Sequence, residues 1–243
     1  MTEHASGPPP SRSRTLVVLQ PGYLPWLGFF DQMRRSDIFV YYDDVQFDKH
    51  GWRNRNRIKS PAGPHWLTVP VKHHGKGQPL IIDTLIDART DWPRKHVGTL
   101  RQYYARAPHL KRYLPELEVL LHRPWTHIVD LDIAVAGLMA RWLKLSPTVV
   151  RASQVGIGGA RSGRLLNLCL HFGADRYLSG TAARDYLDVA QFDRHGVEVV
   201  WQDYRHPVYP QQYESFVPYL SAIDLLLNCG DDSARILESV STP

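Results

Sequence analysis

Cysteine is scarce in this chain: its 243 residues hold two, Cys169 and Cys229. Two thiols make no disulfide framework and cannot build a zinc cluster, a pattern that suits a reducing compartment. The 12 histidines show no His-x-x-x-His spacing and no Cys-x-x-Cys is present, so zinc catalysis is disfavoured and no metal site is expected. Long apolar runs are missing too, and no span reaches the roughly 20 residues that a membrane helix needs. Residues 1–14 are polar and rich in proline and lack the apolar centre of a secretory signal. They predict a disordered tail ahead of a single domain over residues 15–243, and a cytoplasmic location. No Gly-Lys-Ser/Thr phosphate loop occurs, and in Gly156-Ile157-Gly158-Gly159-Ala160-Arg161 an arginine stands where a dinucleotide fingerprint has its third glycine. That glycine run reads as a turn.

What is present is enough apolar residue, 43%, to bury a core, and a net charge of +5 with a pI near 9.2. Such a balance fits anionic partners: nucleotides, sugar phosphates, the acidic surface of a carrier protein, or nucleic acid. A nucleic-acid partner is disfavoured, because no reading motif accompanies the charge and Trp52, beside an Arg/Asn run, is the lone aromatic hint.

Apolar runs and helical stripes alternate along the chain. Strands are predicted at Leu16–Leu19, Ile38–Phe47, Leu80–Ile86, Thr148–Val155, Arg176–Ser179 and Val197–Tyr204. Helices are predicted at Gly28–Arg35, from an Asp91 cap to about Arg106, at Leu114–Leu121, from a Thr126 cap to Leu143, after the glycine run, and from Ser221 to Leu227. This order predicts an α/β fold of Rossmann-like kind, a largely parallel sheet with a mixed edge flanked by helices, with a helical lobe over about residues 91–146. In the helix after residue 160, Leu165, Leu168, Cys169 and Phe172 share one stripe, which makes Cys169 a buried structural thiol.

The chemistry concentrates between Thr15 and Val71. Gln20, Tyr23 and Gln46 bring amide and phenol groups, Asp43 and Asp44 adjacent carboxylates, and Lys49, Arg53, Arg55, Arg57 and Lys59 a cationic run. Arg53, Arg55, Arg57 and Lys59 alternate with Asn54, Asn56 and Ile58, so an extended backbone separates cations from amides. Further along, Ser179 and Gly180 end a strand as Gln20 does, and both ends are expected to approach one crevice. His96 shares a helix side with Leu100, Tyr103 and Tyr104, while His206 and Tyr209 sit in a proline-fixed extended path.

Several blocks resemble the WbqC-like family: Gln20-Pro21, Tyr23-Leu24-Pro25-Trp26, Asp44-Val45-Gln46-Phe47, Arg55-Asn56-Arg57-Ile58-Lys59, Tyr177-Leu178-Ser179-Gly180 and Ser221-Ala222-Ile223-Asp224 among them. The resemblance implies a protein of O-antigen, surface-sugar or natural-product clusters, with glycine (aminoacyl) transfer as the family's suggested role. On that footing the expected reaction moves an aminoacyl or acyl group onto an amine of a sugar or natural-product intermediate. The donor would be nucleotide-linked or held on an acyl carrier protein, and no cofactor is expected. Asp44 or His96 would act as base. Gln20, Tyr23, Gln46, Asn54, Asn56 and Ser179 would orient the reacting amide, and Arg55, Lys59 and Lys76 would hold phosphate or carboxylate. Asp43, Tyr103, Gly180, His206 and Tyr209 complete the expected substrate site. Two alternatives are an ATP/Mg²⁺ nucleotidyl (adenylyl) transferase with Asp43 and Asp44 near the metal, and a non-catalytic binding module for a sugar nucleotide or carrier protein.

Overall fold

A computed structural model describes residues 13–48, 51–72 and 77–240. Residues 1–12 of the tail expected over residues 1–14, Lys49 of the cationic run, and Lys76 lie outside the described residues.

Five strands form one sheet: β1 (Thr15–Leu19), β2 (Ile38–Tyr41), β5 (Thr148–Arg151), β6 (Arg176–Ser179) and β7 (Glu198–Trp201). Their order is β5-β2-β1-β6-β7 and every pairing is parallel. Parallel sheets need both faces covered, and the period-two pattern supplies them. Val17, Phe39 and Tyr41 pack into one apolar cluster, and Leu16, Val18, Ile38 and Val40 into another. The first cluster holds α1 (Leu27–Arg34), α4 (Ile128–Trp142) and α8 (Ala222–Cys229); the second holds α6 (Arg161–His171) and α7 (Val189–Asp193). This is the expected α/β, Rossmann-like architecture. The antiparallel pairing expected at a mixed edge lies instead in a separate hairpin, β3 (Arg55–Ser60) with β4 (Gly63–Thr68).

Several boundaries differ from expectation. β2 stops at Tyr41, after which Asp43 turns away to bind Arg151 and Ser153 rather than continue the ladder. Leu80–Ile86 is not a strand; it is joined to its neighbours by isolated bridges to Gln46, Val71 and His127. β5 ends at Arg151 and runs straight into α5 (Ala152–Val155).

Between β4 and β5 come α2 (Trp92–Tyr103), α3 (Leu110–Leu121) and α4. Asp91 caps α2 as expected, accepting from the Arg94 N–H at 3.3 Å. α3 starts four residues before the expected Leu114 and tolerates Pro115, because Leu110, Tyr113, Leu114, Leu117 and Leu121 make a buried stripe across the break. Thr126 does not cap α4; His127 precedes it without a side-chain cap. Ser221 caps α8, accepting from Ile223, and Asp224 in its first turn lies buried against Tyr104 and Gln211. α9 (Asp232–Glu238) is the last of the described helices.

Candidate functional site

The sheet's strand order reverses between β1 and β6, so the connections leaving their carboxyl ends run to opposite sides and leave a crevice there. A cavity of about 1180 Å³ occupies that position. Gln20, just past β1, and Ser179 and Gly180, at the end of β6, line it together. The expectation that these two strand ends meet holds.

One wall is the loop Pro21–Trp26 docked on the segment before β3. Gly22 is required there, since a Cβ would lie 2.8 Å from the Trp52 carbonyl. The Tyr23 N–H donates to the Arg53 carbonyl at 3.2 Å, and the Arg53 guanidinium donates to the Pro21 carbonyl at 2.9 Å. Asn56 fastens the same loop, donating to the Leu24 carbonyl at 2.8 Å, where Leu24 holds a left-handed φ of 45°. Position 28, in the first turn of α1, needs glycine because the Trp26 indole folds over it, 2.2 Å from where a Cβ would stand. The consequence is that Arg53, Asn56 and Arg57 face the crevice with Trp26 and Trp52 beside them.

The opposite wall comes from the glycine turn and α6. Gly159, at φ 122°, packs against the Arg164 backbone, and Arg161 and Ser162 of the first helical turn line the crevice. Arg164 braces this wall: it donates to the Ile157 carbonyl at 3.0 Å, pairs with Asp44, and lies over the Tyr42 ring at 4.9 Å. Tyr177 lines the floor, where burial raises its phenol well above the usual value and keeps it protonated.

A chain of amides fixes Gln32. The Gln202 Nε2 hydrogens go to the Gly28 carbonyl at 2.9 Å and Asp31 Oδ2 at 2.7 Å, so Gln202 Oε1 must accept from Gln32 Nε2 at 2.8 Å. Gln32 Oε1 is thereby fixed as a buried acceptor with no hydrogen-bond partner in the crevice wall.

The charge of the lining is one-sided. Arg53, Arg57 and Arg161 carry it, and among the described residues the lining holds no carboxylate, imidazole, thiol or lysine. Such a surface attracts anions and offers hydrogen-bond donors to charge that develops on oxygen.

Most of the other expected site residues lie elsewhere, and each has a structural occupation. Tyr23 is fully buried, its hydroxyl 2.9 Å from His96 Nδ1; burial lowers the His96 pKa to about 4, so the ring is neutral. Asp43 is fully buried, bonded to the Arg151 guanidinium at 2.7 Å and to Ser153 through its N–H at 2.9 Å and hydroxyl at 2.7 Å. Asp44 is held by Arg164, and Gln46 is exposed at the bridge to Leu80. Asn54 faces inward and donates to the Val69 carbonyl at 2.8 Å. Arg55 stacks over Trp66 at 4.7 Å, outside the crevice.

Lys59 departs furthest from its expected role. The period-two pattern puts it with the cations, but it is 1% exposed, binding Gln211 Oε1 at 3.0 Å and the Ser215 carbonyl. Tyr103 accepts from Tyr213 through its carbonyl at 2.7 Å. Tyr209 is buried, and His206 sits among Tyr204, Phe216 and Tyr219, accepting from the Tyr219 N–H at 3.3 Å. Of the expected set, Gln20, Asn56, Ser179 and Gly180 meet in the crevice.

The expected set left out Trp26, Gln32, Tyr42, Trp52, Arg53, Arg57, Arg161 and Tyr219, which line the crevice. For Arg53 and Arg57 the signal was the period-two cationic run. For Arg161 it was an arginine interrupting glycines before a helix. No such signal marks Gln32 or Tyr219, which reach the crevice through tertiary packing.

The profile of the WbqC-like protein family matches residues 20–236, which takes in both walls of the crevice. An uncharacterized protein of Mycobacterium tuberculosis is 35% identical over 226 residues, covering 92% of this chain and 97% of its own. No solved structure matches the chain. Among the described residues no helix is long and apolar enough to cross a membrane.

Proposed function

This chain belongs to the WbqC-like protein family, and from that premise we propose that it is a transferase acting on small molecules. It takes the phosphate-bearing end of a donor in the crevice and passes an acyl or aminoacyl group, glycyl foremost, to an amine of a sugar or natural-product intermediate. The observation that carries this reading is the crevice at the strand-order reversal, which Arg53, Arg57 and Arg161 line and which, among the described residues, no carboxylate lines; of the three, Arg53 also feels the buried Asp132 behind the wall. In the transfer, the amine nitrogen attacks the acyl carbon and the carbonyl electron pair moves onto oxygen. Ser179 and the guanidinium groups are donors suited to that charge, whereas the Asn56 amide hydrogens are taken by the Leu24 and Tyr23 carbonyls. Collapse of the adduct expels the phosphate or thiolate with the bonding pair, and the amine proton passes to the departing oxygen or sulfur.

Asp43 and Asp44 are engaged by Arg151 and Arg164 and neither lines the crevice, which argues against the magnesium-dependent nucleotidyl transferase. A second reading, a non-catalytic binding module, is favoured by one observation: among the described residues the lining holds no carboxylate, imidazole or amine to act as a general base near neutral pH. The two readings separate by product. A nucleotide-linked amino sugar incubated with glycyl donors yields a new amide by mass spectrometry if the protein is a transferase, and only reversible binding if it is a module. In calorimetry, Arg57→Ala and Arg161→Ala each weaken binding of the phosphate-bearing ligand about 10- to 100-fold, the range for loss of one charge-assisted hydrogen bond. Binding that ignores both substitutions removes the anion handle from the reading.

A further inference from the structure

The hairpin and the segment leading into it carry an aromatic platform that the transferase reading leaves unused. Trp52 and Trp66 are 43% and 42% exposed, large fractions for side chains of that size, and their rings lie 5.1 Å apart at 34°. Arg57 faces Trp66 across the antiparallel register, its guanidinium 5.4 Å from the Trp52 ring and 5.8 Å from the Trp66 ring. Arg55 covers Trp66 at 4.7 Å. Trp52 and Arg57 also line the crevice, whereas Trp66 does not, so the platform begins at the crevice mouth and extends beyond it.

We propose that this platform stacks a nucleobase, and that the ligand of the crevice is a nucleoside phosphate or nucleotide-linked compound rather than a carrier-linked one. The inference rests on the anion-binding reading of the crevice and names its ligand. Three features point to a base. An indole pair about two-fifths exposed, backed by guanidinium groups, offers aromatic area on which a planar ring can stack. The guanidinium groups against it donate hydrogen bonds and accept none, which suits a phosphorylated ligand better than a neutral sugar whose hydroxyls need both. Finally, Arg57 borders the rings and the crevice at once, so a phosphate on Arg57 leaves the base no farther from the indoles than the span of one ribose.

The test compares nucleoside 5′-diphosphates, ribose 5-phosphate and an unphosphorylated sugar, following the ¹⁵N-labelled indole N–H resonances of Trp52 and Trp66 and the affinity by calorimetry. Nucleoside diphosphates are expected to shift both resonances. Trp66→Ala should weaken them about tenfold or more, Trp66→Phe should restore most of the loss, and ribose 5-phosphate should bind both variants as it binds the parent. The proposal is overturned if ribose 5-phosphate binds as tightly as the nucleotides, or if Trp66→Ala weakens both alike. Indole shifts produced by the neutral sugar alone also overturn it, as does an affinity that climbs with the length of a single-stranded oligonucleotide. If no nucleotide moves either indole but phosphopantetheine thioesters bind through Arg57, the stacking site falls while the crevice reading stands.

Discussion

His96 was a candidate base, and its surroundings turn it into a support. It is 6% exposed, bonded to the Tyr23 hydroxyl, and its pKa is pushed from 6.5 to about 4 by burial. Between those pH values the unfolded chain binds a proton that the folded chain does not, so stability from this group is present above pH 6.5 and is lost as pH falls toward 4. The loss at pH 4 is on the order of 3 kcal/mol. Urea unfolding from pH 7 to pH 4 should show it, with a flatter profile for His96→Gln; equal slopes would contradict the assignment. Cys169, whose thiol burial pushes up to about 12, stays unreactive to alkylating reagents at pH 8 until the protein unfolds. A fast native-state reaction would overturn that. Polarity along the sequence marked where chemistry concentrates, but it does not say which way a side chain turns. Asn54, Asn56 and Lys59 turn inward because the loops around them have backbone groups that only a side chain reaches.

At the scale of elements, the alternation of apolar runs predicted the sheet strands and most helices, while local pairing decided what it could not. The run after Tyr41 is as β-like as the strand itself, yet Asp43 and Asp44 are drawn to Arg151 and Arg164, residues more than a hundred positions away. The segment before α8 is another case. Tyr213, Ser215 and Tyr219 all adopt left-handed φ values, 67°, 63° and 57°, which cost energy in non-glycine residues. Lys59 and Gln211 hold this segment, and Gln211 and Tyr104 share Asp224, so a buried network fixes the strap that brings Tyr219 to the crevice. Tyr104→Phe strands one oxygen of Asp224 and the Lys59 N–H, and should cost about 1–3 kcal/mol in urea unfolding. A neutral result would show that the strap is held by packing alone.

Across the whole molecule, the feature that organises everything else is the reversal of strand order between β1 and β6. A parallel sheet with that order was legible in outline, because strands alternating with helices permit few alternatives. The convergence of Gln20 with Ser179 was legible as well, from two strands ending in polar residues. What stayed hidden was the composition of the walls, since Arg57 arrives on a hairpin inserted after β2, with Trp52 and Arg53 on the segment leading into it, and a one-dimensional pattern carries no sign of where an insertion folds back. The account stands or falls on the crevice as the anion site. The most direct measurement is a crystal structure determined with a nucleoside diphosphate. The phosphates are predicted within hydrogen-bond reach of Arg53, Arg57 and Arg161, beyond the carboxyl ends of β1 and β6; a nucleotide ordered on another face, with this crevice empty, would contradict it.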